Sequence, residues 1–466
     1  MIGQLFDDGA LRDFLRHGYA LIDSDQPPEF HRDVCDRLDH IMESEGNPGN
    51  NILPRVPEIQ TIFDAPNVQA ALTRILGPGY VMHPHRHCHH RPPGAAPQGW
   101  HKDDYVYDQN VRHHRGRWVM AFYYPQAVTT DMGPTAILPG QQHHDTTAAL
   151  EAGPAAEMSI TGPAGTVAIV NFDVWHRACT NTSQLNRYML KFQFLRMQEP
   201  TQTDTGAWED AEGVARYQWD WLRQAVPCTP PASALDGVDT AIAKLQGDDE
   251  AARLQATYTL AEMGASVVPE LVDCLRAEAT LRAEVKIAKS PANPAGGNPA
   301  DLASAHALAA MGPSAIDALV DLAGDSNWSV RATAVDVLGT IGRQTADTSS
   351  ALIGGLQDDN FWVRRNAAEA LGILATTDGA EDIAHVLQDE DWRVRLNGSG
   401  ALARIGPPAA SLAGKVVPLL ADENRYVRDS ALQALRRFDS PEATDILLRH
   451  LTTSRWCPLT SKDSTF

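Results

Sequence analysis

The chain lacks any run of about 18 apolar residues, so no transmembrane helix is expected. Its start, MIGQLFDDGALRDFLRHGY, carries early acids and no apolar core, and reads as no secretory signal. Cysteine is scarce. The six (Cys35, Cys88, Cys179, Cys228, Cys274, Cys457) form no CxxC pair, which argues against a disulfide framework and for reduced thiols in a cytoplasm. Basic residues are in deficit, with 39 Lys and Arg against 59 Asp and Glu and a formal charge of −20. Such a surface repels polyanions, so nucleic acid is not an expected partner. Nor does a membrane partner follow. What is present is ordinary: 466 residues with 43% hydrophobic content, enough for two or three domains with separate cores.

Two grammars divide those residues. From about 238 the sequence repeats itself: DSNWSVRATAVDVLGTIG, DDNFWVRRNAAEALGILA, DEDWRVRLNGSGALARIG and DENRYVRDSALQALRRF. The Val-Arg pairs Val330-Arg331, Val363-Arg364, Val394-Arg395 and Val427-Arg428 recur at spacings of 33, 31 and 33. Two weaker copies end at Gly264 and Gly312, separated by the loop-forming KSPANPAGGNP. Each copy opens on Asp or Asn, continues with apolar residues at helical spacing, and often stops at Gly. Paired helices at this period predict an α-solenoid resembling HEAT-like repeats. The repeated Arg and Asp are expected to bond neighbouring repeats. The aromatics Trp328, Trp362, Trp392 and Tyr426 read either as inter-repeat packing or as a partner-binding stripe.

Residues 1–225 read as mostly β after helical patterns at 8–17 and 29–45, with short runs such as RWVMAFYYPQ, GTVAIVNF and RYMLKFQFLR. The expected division is therefore 1–225 β-rich domain, 226–237 linker, 238–452 solenoid and 453–466 tail.

Histidines crowd residues 83–90, HPHRHCHH, with five in eight positions. No carboxylate accompanies them. A better metal pattern follows in QGWHKDDYVY. His101 and Asp103 are two apart, so an extended strand points both to one side. A third ligand must come from elsewhere, and the best candidate is His176 in GTVAIVNFDVWH, which follows an apolar strand and so would be held on a rigid element. Two histidines and one carboxylate leave positions open on an ion, an arrangement suited to non-haem Fe(II). Arg187, eleven residues on, offers a fixed fork for a carboxylate.

With WHKD, DMGPTAILPGQQH, GTVAIVNFDVWHRACTNTS and the Arg of NRYML in view, residues 1–200 resemble the phytanoyl-CoA dioxygenase family. The resemblance implies a double-stranded β-helix, a cupin-like jelly roll with flanking helices, joined here to an all-α HEAT-like solenoid. It implies a dioxygenase using Fe(II), 2-oxoglutarate and O2 to oxidise an unactivated C–H bond. By motif position His101, Asp103 and His176 match the iron ligands, and Arg187 the residue holding the distal carboxylate of 2-oxoglutarate. Thr135, after MGP, falls where the family lines its pocket. His89 is assigned to bond 2-oxoglutarate or substrate, and Tyr105 to line the substrate pocket, a core position being its alternative. Ala178 stands where the family often has Ser. Asp103 leaves no vacancy for the chloride that radical halogenases of this class bind. The paired His113-His114 and His143-His144 read as polar loop residues.

No Lys and Arg cluster suited to CoA phosphates stands out. A small metabolite or amino-acid-like compound is therefore favoured as substrate over an acyl-CoA. The rival reading makes the solenoid a recruiter of a protein or carrier that the β domain hydroxylates, or makes that domain a sensor of 2-oxoglutarate and oxygen.

Overall fold

The computed structural model describes residues 6–103, 113–148, 150, 157–201, 206–224, 237–284 and 297–453. The expected linker and tail lie outside them except for Gly237 and Thr453. The chain forms two compact units, Met1–Cys274 with Ile287–Met311, and Leu275–Lys286 with Gly312–Phe466.

The first unit is built on two antiparallel sheets, and it is the jelly roll expected. The larger orders β1 (Tyr19–Asp23), β7 (Thr166–Asn171), β4 (Trp118–Tyr123), β9 (Arg187–Leu195) and β2 (Val81–Met82), with β3 (His87–Arg91) also paired to β9. The smaller orders β6 (Met158–Ile160), β5 (Thr135–Ile137) and β8 (His176–Ala178).

Strand alternation distributes the side chains of the large sheet. Trp118, Met120 and Phe122 of β4 join Ile137 and Ile160 of the small sheet in a core between the sheets. Val119, Ala121 and Tyr123 turn the other way, onto a core shared with the helices Asp8–His17, Pro28–Ser44 and Pro66–Leu76. Both faces are covered, so WVMAFY reads as an unbroken apolar run rather than an alternating one. Strand β9 divides more sharply. Tyr188, Leu190, Phe192 and Phe194 pack against the helices. Arg187, Met189 and Lys191 face the opposite way, into a cavity at the mouth between the sheets.

The compact division does not coincide with the change of sequence grammar. Helices Val238–Leu245, Glu250–Glu262 and Ala303–Met311, written in the repeat idiom, fold with the first unit. His114 Nδ1 meets Tyr258 Oη at 2.5 Å, and the His114 and His306 rings stack at 3.8 Å with 11° between planes. His143 lies against His114 at 4.9 Å. The expectation of polar loop histidines is corrected here: helices cover the loops that carry His113, His114 and His143.

The second unit is an α-solenoid with one turn used repeatedly. Asn327, Asn360, Asp391 and Asn424 cap the first helix of successive repeats, each side chain accepting from the backbone N–H two residues on. The Val-Arg arginines lock neighbouring repeats through bidentate pairs with the next turn. Arg331 holds Asp358, Arg364 holds Asp389 and Arg395 holds Asp422, with Nε–Oδ2 distances of 2.6, 2.7 and 2.7 Å. The aromatic row is not uniform. The residues that follow the caps are Trp328, Phe361, Trp392 and Arg425, so Trp362 and Tyr426 sit one position later in the turn. Trp362 is buried, while Trp328, Trp392 and Tyr426 are half-buried.

Candidate metal and 2-oxoglutarate site

Two histidines converge because their backbones pair. His101 N–H donates to His176 O and His176 N–H to His101 O, both at 3.0 Å, across an isolated antiparallel bridge. Their rings lie 4.4 Å apart. His101 Nδ1 is 2.9 Å from Gly99 O and His176 Nδ1 is 3.1 Å from Val174 O. A carbonyl only accepts, so each Nδ1 carries a proton, and Nε2 is the nitrogen left over for a ligand. Asp103, two residues beyond His101, puts Oδ2 at 3.9 Å from His176 Nε2. One ligand atom from each of His101, Asp103 and His176 lies within 4.8 Å of the others, and among the described residues no other trio of His, Cys, Asp or Glu does so.

The electrostatics suit a cation. Burial works against the charge of Asp103, but Lys191 and His176 outweigh it and hold the carboxyl down at about 2. Burial pushes His176 down to about 4, against the pull of Asp103, which keeps the imidazole neutral and able to donate its lone pair.

Arg187 begins β9, fully buried. Its Nε and Nη2 both donate to Gly133 O, at 3.1 and 2.6 Å, while Nη1 has no protein partner. The DMGP turn makes this possible. Gly133 has φ of +69°, and a Cβ there would lie 2.8 Å from Cys179 O and 2.9 Å from Asn181 N. The turn fixes the carbonyl, the carbonyl fixes the guanidinium, and Nη1 is left over on a residue that lines the cavity.

That cavity has a volume of about 180 Å³, and Arg187, Thr135, His89, Lys191 and the three candidate ligands all line it. Thr135 Oγ1 and His89 Nε2 are buried without hydrogen-bond partners. Burial lowers the His89 pKa well below its ordinary value. Ala178 lines the cavity too.

All five residues of β3, His87 to Arg91, line the cavity; His87 and His89 pair opposite Lys191 and Met189, while Cys88 also joins the helix-side core and His90 stacks on Tyr188 at 5.1 Å. Tyr105 lies outside the described residues. Trp118 is a core aromatic, edge-on to Phe172 at 5.7 Å. Sequence reasoning passed over Lys191, whose Nζ donates to Asp103 Oδ2 at 2.7 Å. Its signal was available, since Lys191 shares β9 parity with Arg187 in RYMLKFQFLR.

Comparison with known proteins agrees with this architecture. Residues 4–189 match the phytanoyl-CoA dioxygenase (PhyH) family, and four overlapping windows from 300–372 to 383–456 match HEAT repeats. The chain thus carries a PhyH-family domain followed by HEAT repeats. No curated protein matches. Among solved structures, a non-heme monooxygenase, the ThoJ-Ni complex, is 14% identical over 41% of this chain and 80% of its own, with a TM-score of 0.33. The non-heme alpha ketoglutarate dependent carbocyclase SnoK from nogalamycin biosynthesis is 15% identical over 41% and 85%, at 0.33. EctD from S. alaskensis with 2-oxoglutarate and 5-hydroxyectoine is 14% identical over 41% and 77%, at 0.36.

Proposed function

We propose that the first unit is an Fe(II)- and 2-oxoglutarate-dependent oxygenase that oxidises an unactivated C–H bond of a small molecule, with the repeats as scaffold or partner-binding module. The observation that carries this reading is convergence. One ligand atom from each of two histidines and one carboxylate lies within 4.8 Å of the others, in a cavity also lined by a buried guanidinium whose Nη1 has no partner. The donor set fits the metal: two imidazoles and one carboxylate suit a divalent iron and leave coordination positions open. When bound, the iron and keto acid supply the activation of dioxygen, coupled to decarboxylation to succinate.

The chain's own residues do the rest. His101, Asp103 and His176 hold the cation with geometry set by the bridge between His101 and His176. Arg187 binds the distal carboxylate through Nη1 while Gly133 O holds the other edge of the guanidinium. Thr135 offers a hydroxyl and His89 an imidazole nitrogen to the same bound acid. The apolar layer of Phe122, Ile137 and Phe172 beneath excludes water.

The test is Fe(II)-dependent conversion of 2-oxoglutarate to succinate, which proceeds slowly without primary substrate. Wild-type protein should form succinate only with iron present, and His176→Ala should form none while keeping the wild-type fold by circular dichroism. Equal turnover in both would refute the assignment.

A further inference from the structure

His101 and Asp103 converge on the metal site, and Lys102 between them turns the other way. Neither Lys102 nor its partner Asp173 lines the cavity. The ammonium is buried all the same, with 3% of its side chain exposed. It donates to Asp173 Oδ2 at 2.5 Å and to Gln142 O at 3.0 Å, and sits 5.6 Å from the centre of the Trp175 ring. Gln142 is itself buried and anchored, its side chain donating to Leu15 O at 3.1 Å.

Asp173 sits on the turn that leads into His176. Its N–H donates to Asn171 Oδ1 at 2.9 Å, and the next N–H, of Val174, donates to Asn171 O at 3.2 Å. Val174 in turn supplies the carbonyl that meets His176 Nδ1. Lys102 therefore ties the segment carrying two candidate ligands to the turn that orients the third. Lys191 holds Asp103 from the cavity side. Lys102 holds the same segment from behind. The main-chain bridge secures His101 to His176. Past that bridge, no main-chain hydrogen bond among the described residues holds Lys102, so its side chain is what fixes this point of the segment.

A buried ion pair is a poor device for stability, because taking both charges out of water roughly cancels their attraction. It is a better device for position, since it is favourable only where both ends meet in one geometry. Resting on the oxygenase reading above, we propose that Lys102 and Asp173 are positioning residues: they set how the His101–Asp103 segment stands against His176, and so the affinity and coordination geometry of the metal.

The experiment uses the full chain, anaerobic, with Fe(II) and, as a spectroscopic stand-in, Co(II). In Lys102→Met/Asp173→Val both charges give way to apolar groups, a replacement often neutral for stability. Without metal, the double variant should melt as wild type does. It should nevertheless bind Fe(II) about 10- to 100-fold more weakly, the usual cost of losing an outer partner of a metal site. Its Co(II) ligand-field bands should also shift or change in intensity, a change that a purely structural pair would not produce in a protein of unaltered stability. If the double variant does not fold, Asp173→Asn decides by the same measurements. Wild-type iron affinity with an unaltered Co(II) spectrum in a folded variant overturns the proposal. A melting temperature that falls along with iron affinity, or failure of both variants to fold, overturns it as well and makes the pair a prop of the fold. Wild-type protein that binds neither ion defeats the oxygenase reading, and the proposal with it.

Discussion

Arg187, which lines the cavity, donates two N–H groups to one carbonyl, that of Gly133, at 3.1 and 2.6 Å, and so its third nitrogen is left without a protein partner. A guanidinium held in this way is pre-oriented for a carboxylate before any ligand arrives. Arg187→Lys keeps the charge and loses the fork. It should weaken 2-oxoglutarate by about 10- to 100-fold, the cost of one or two charge-assisted hydrogen bonds. Equilibrium titration of 2-oxoglutarate into both proteins checks this.

Gly133 should be as sensitive as Arg187 for a different reason. In Gly133→Ala the new Cβ meets the backbone at Cys179 and Asn181, and the residue is held at positive φ. The turn has to move and the carbonyl with it. Weakened 2-oxoglutarate binding together with a lowered melting temperature is expected. A melting change alone would uncouple the turn from Arg187.

The packed histidines predict acid sensitivity. Burial, first among the causes, lowers His143 to about 3 and His113 and His114 well below the ordinary value. Their folded values lie below the unfolded one, about 6.5. The unfolded chain therefore takes up protons first. Stability contributed by these groups is whole above about pH 6.5 and falls as pH drops through the window toward 3. Denaturant midpoints measured from pH 7.5 to 5 should decline, and His114→Phe should flatten the decline. Parallel slopes in the two proteins would show that the histidines do not drive it.

In the second unit, close helix approach is set by glycine. A Cβ on Gly372 would sit 2.6 Å from Ala401 Cα, and one on Gly339 would sit 2.6 Å from Ala370 Cα. Gly372→Ala should cost about 1–3 kcal/mol as overpacking, despite the better helix propensity of alanine. For the pair Arg364 and Asp389, a double-mutant cycle should give a coupling of at least about 0.5 kcal/mol. Additive losses would mean that the ladder is ornamental.

The repeats were legible because one turn recurs: cap, Val-Arg pair and Gly stop carry local signals that do not depend on distant contacts. The spacing of His101 and Asp103, two apart, was legible locally, but the approach of His176 rests on its backbone bridge to His101, which only the family resemblance pointed to. Other features depended on contacts that spacing does not encode. Nothing in His113-His114 announces that Tyr258 and His306, more than a hundred residues away, will cover them. The four aromatics share one turn, as the sequence suggests, but not one position in it, since Phe361 rather than Trp362 directly follows its cap. Lys191 was missed because β9 is apolar on one face and functional on the other, and its sequence reads as plain core.

The central claim is that His101, Asp103 and His176 hold iron while Arg187 holds 2-oxoglutarate. Anaerobic titration of Fe(II) and 2-oxoglutarate, followed by the metal-to-ligand charge-transfer band in the visible, tests it most directly. Wild type should show the band. Arg187→Ala should require much more 2-oxoglutarate to reach it, and Asp103→Ala should need more iron. A folded wild-type protein that shows no band at saturating iron and 2-oxoglutarate would contradict the account.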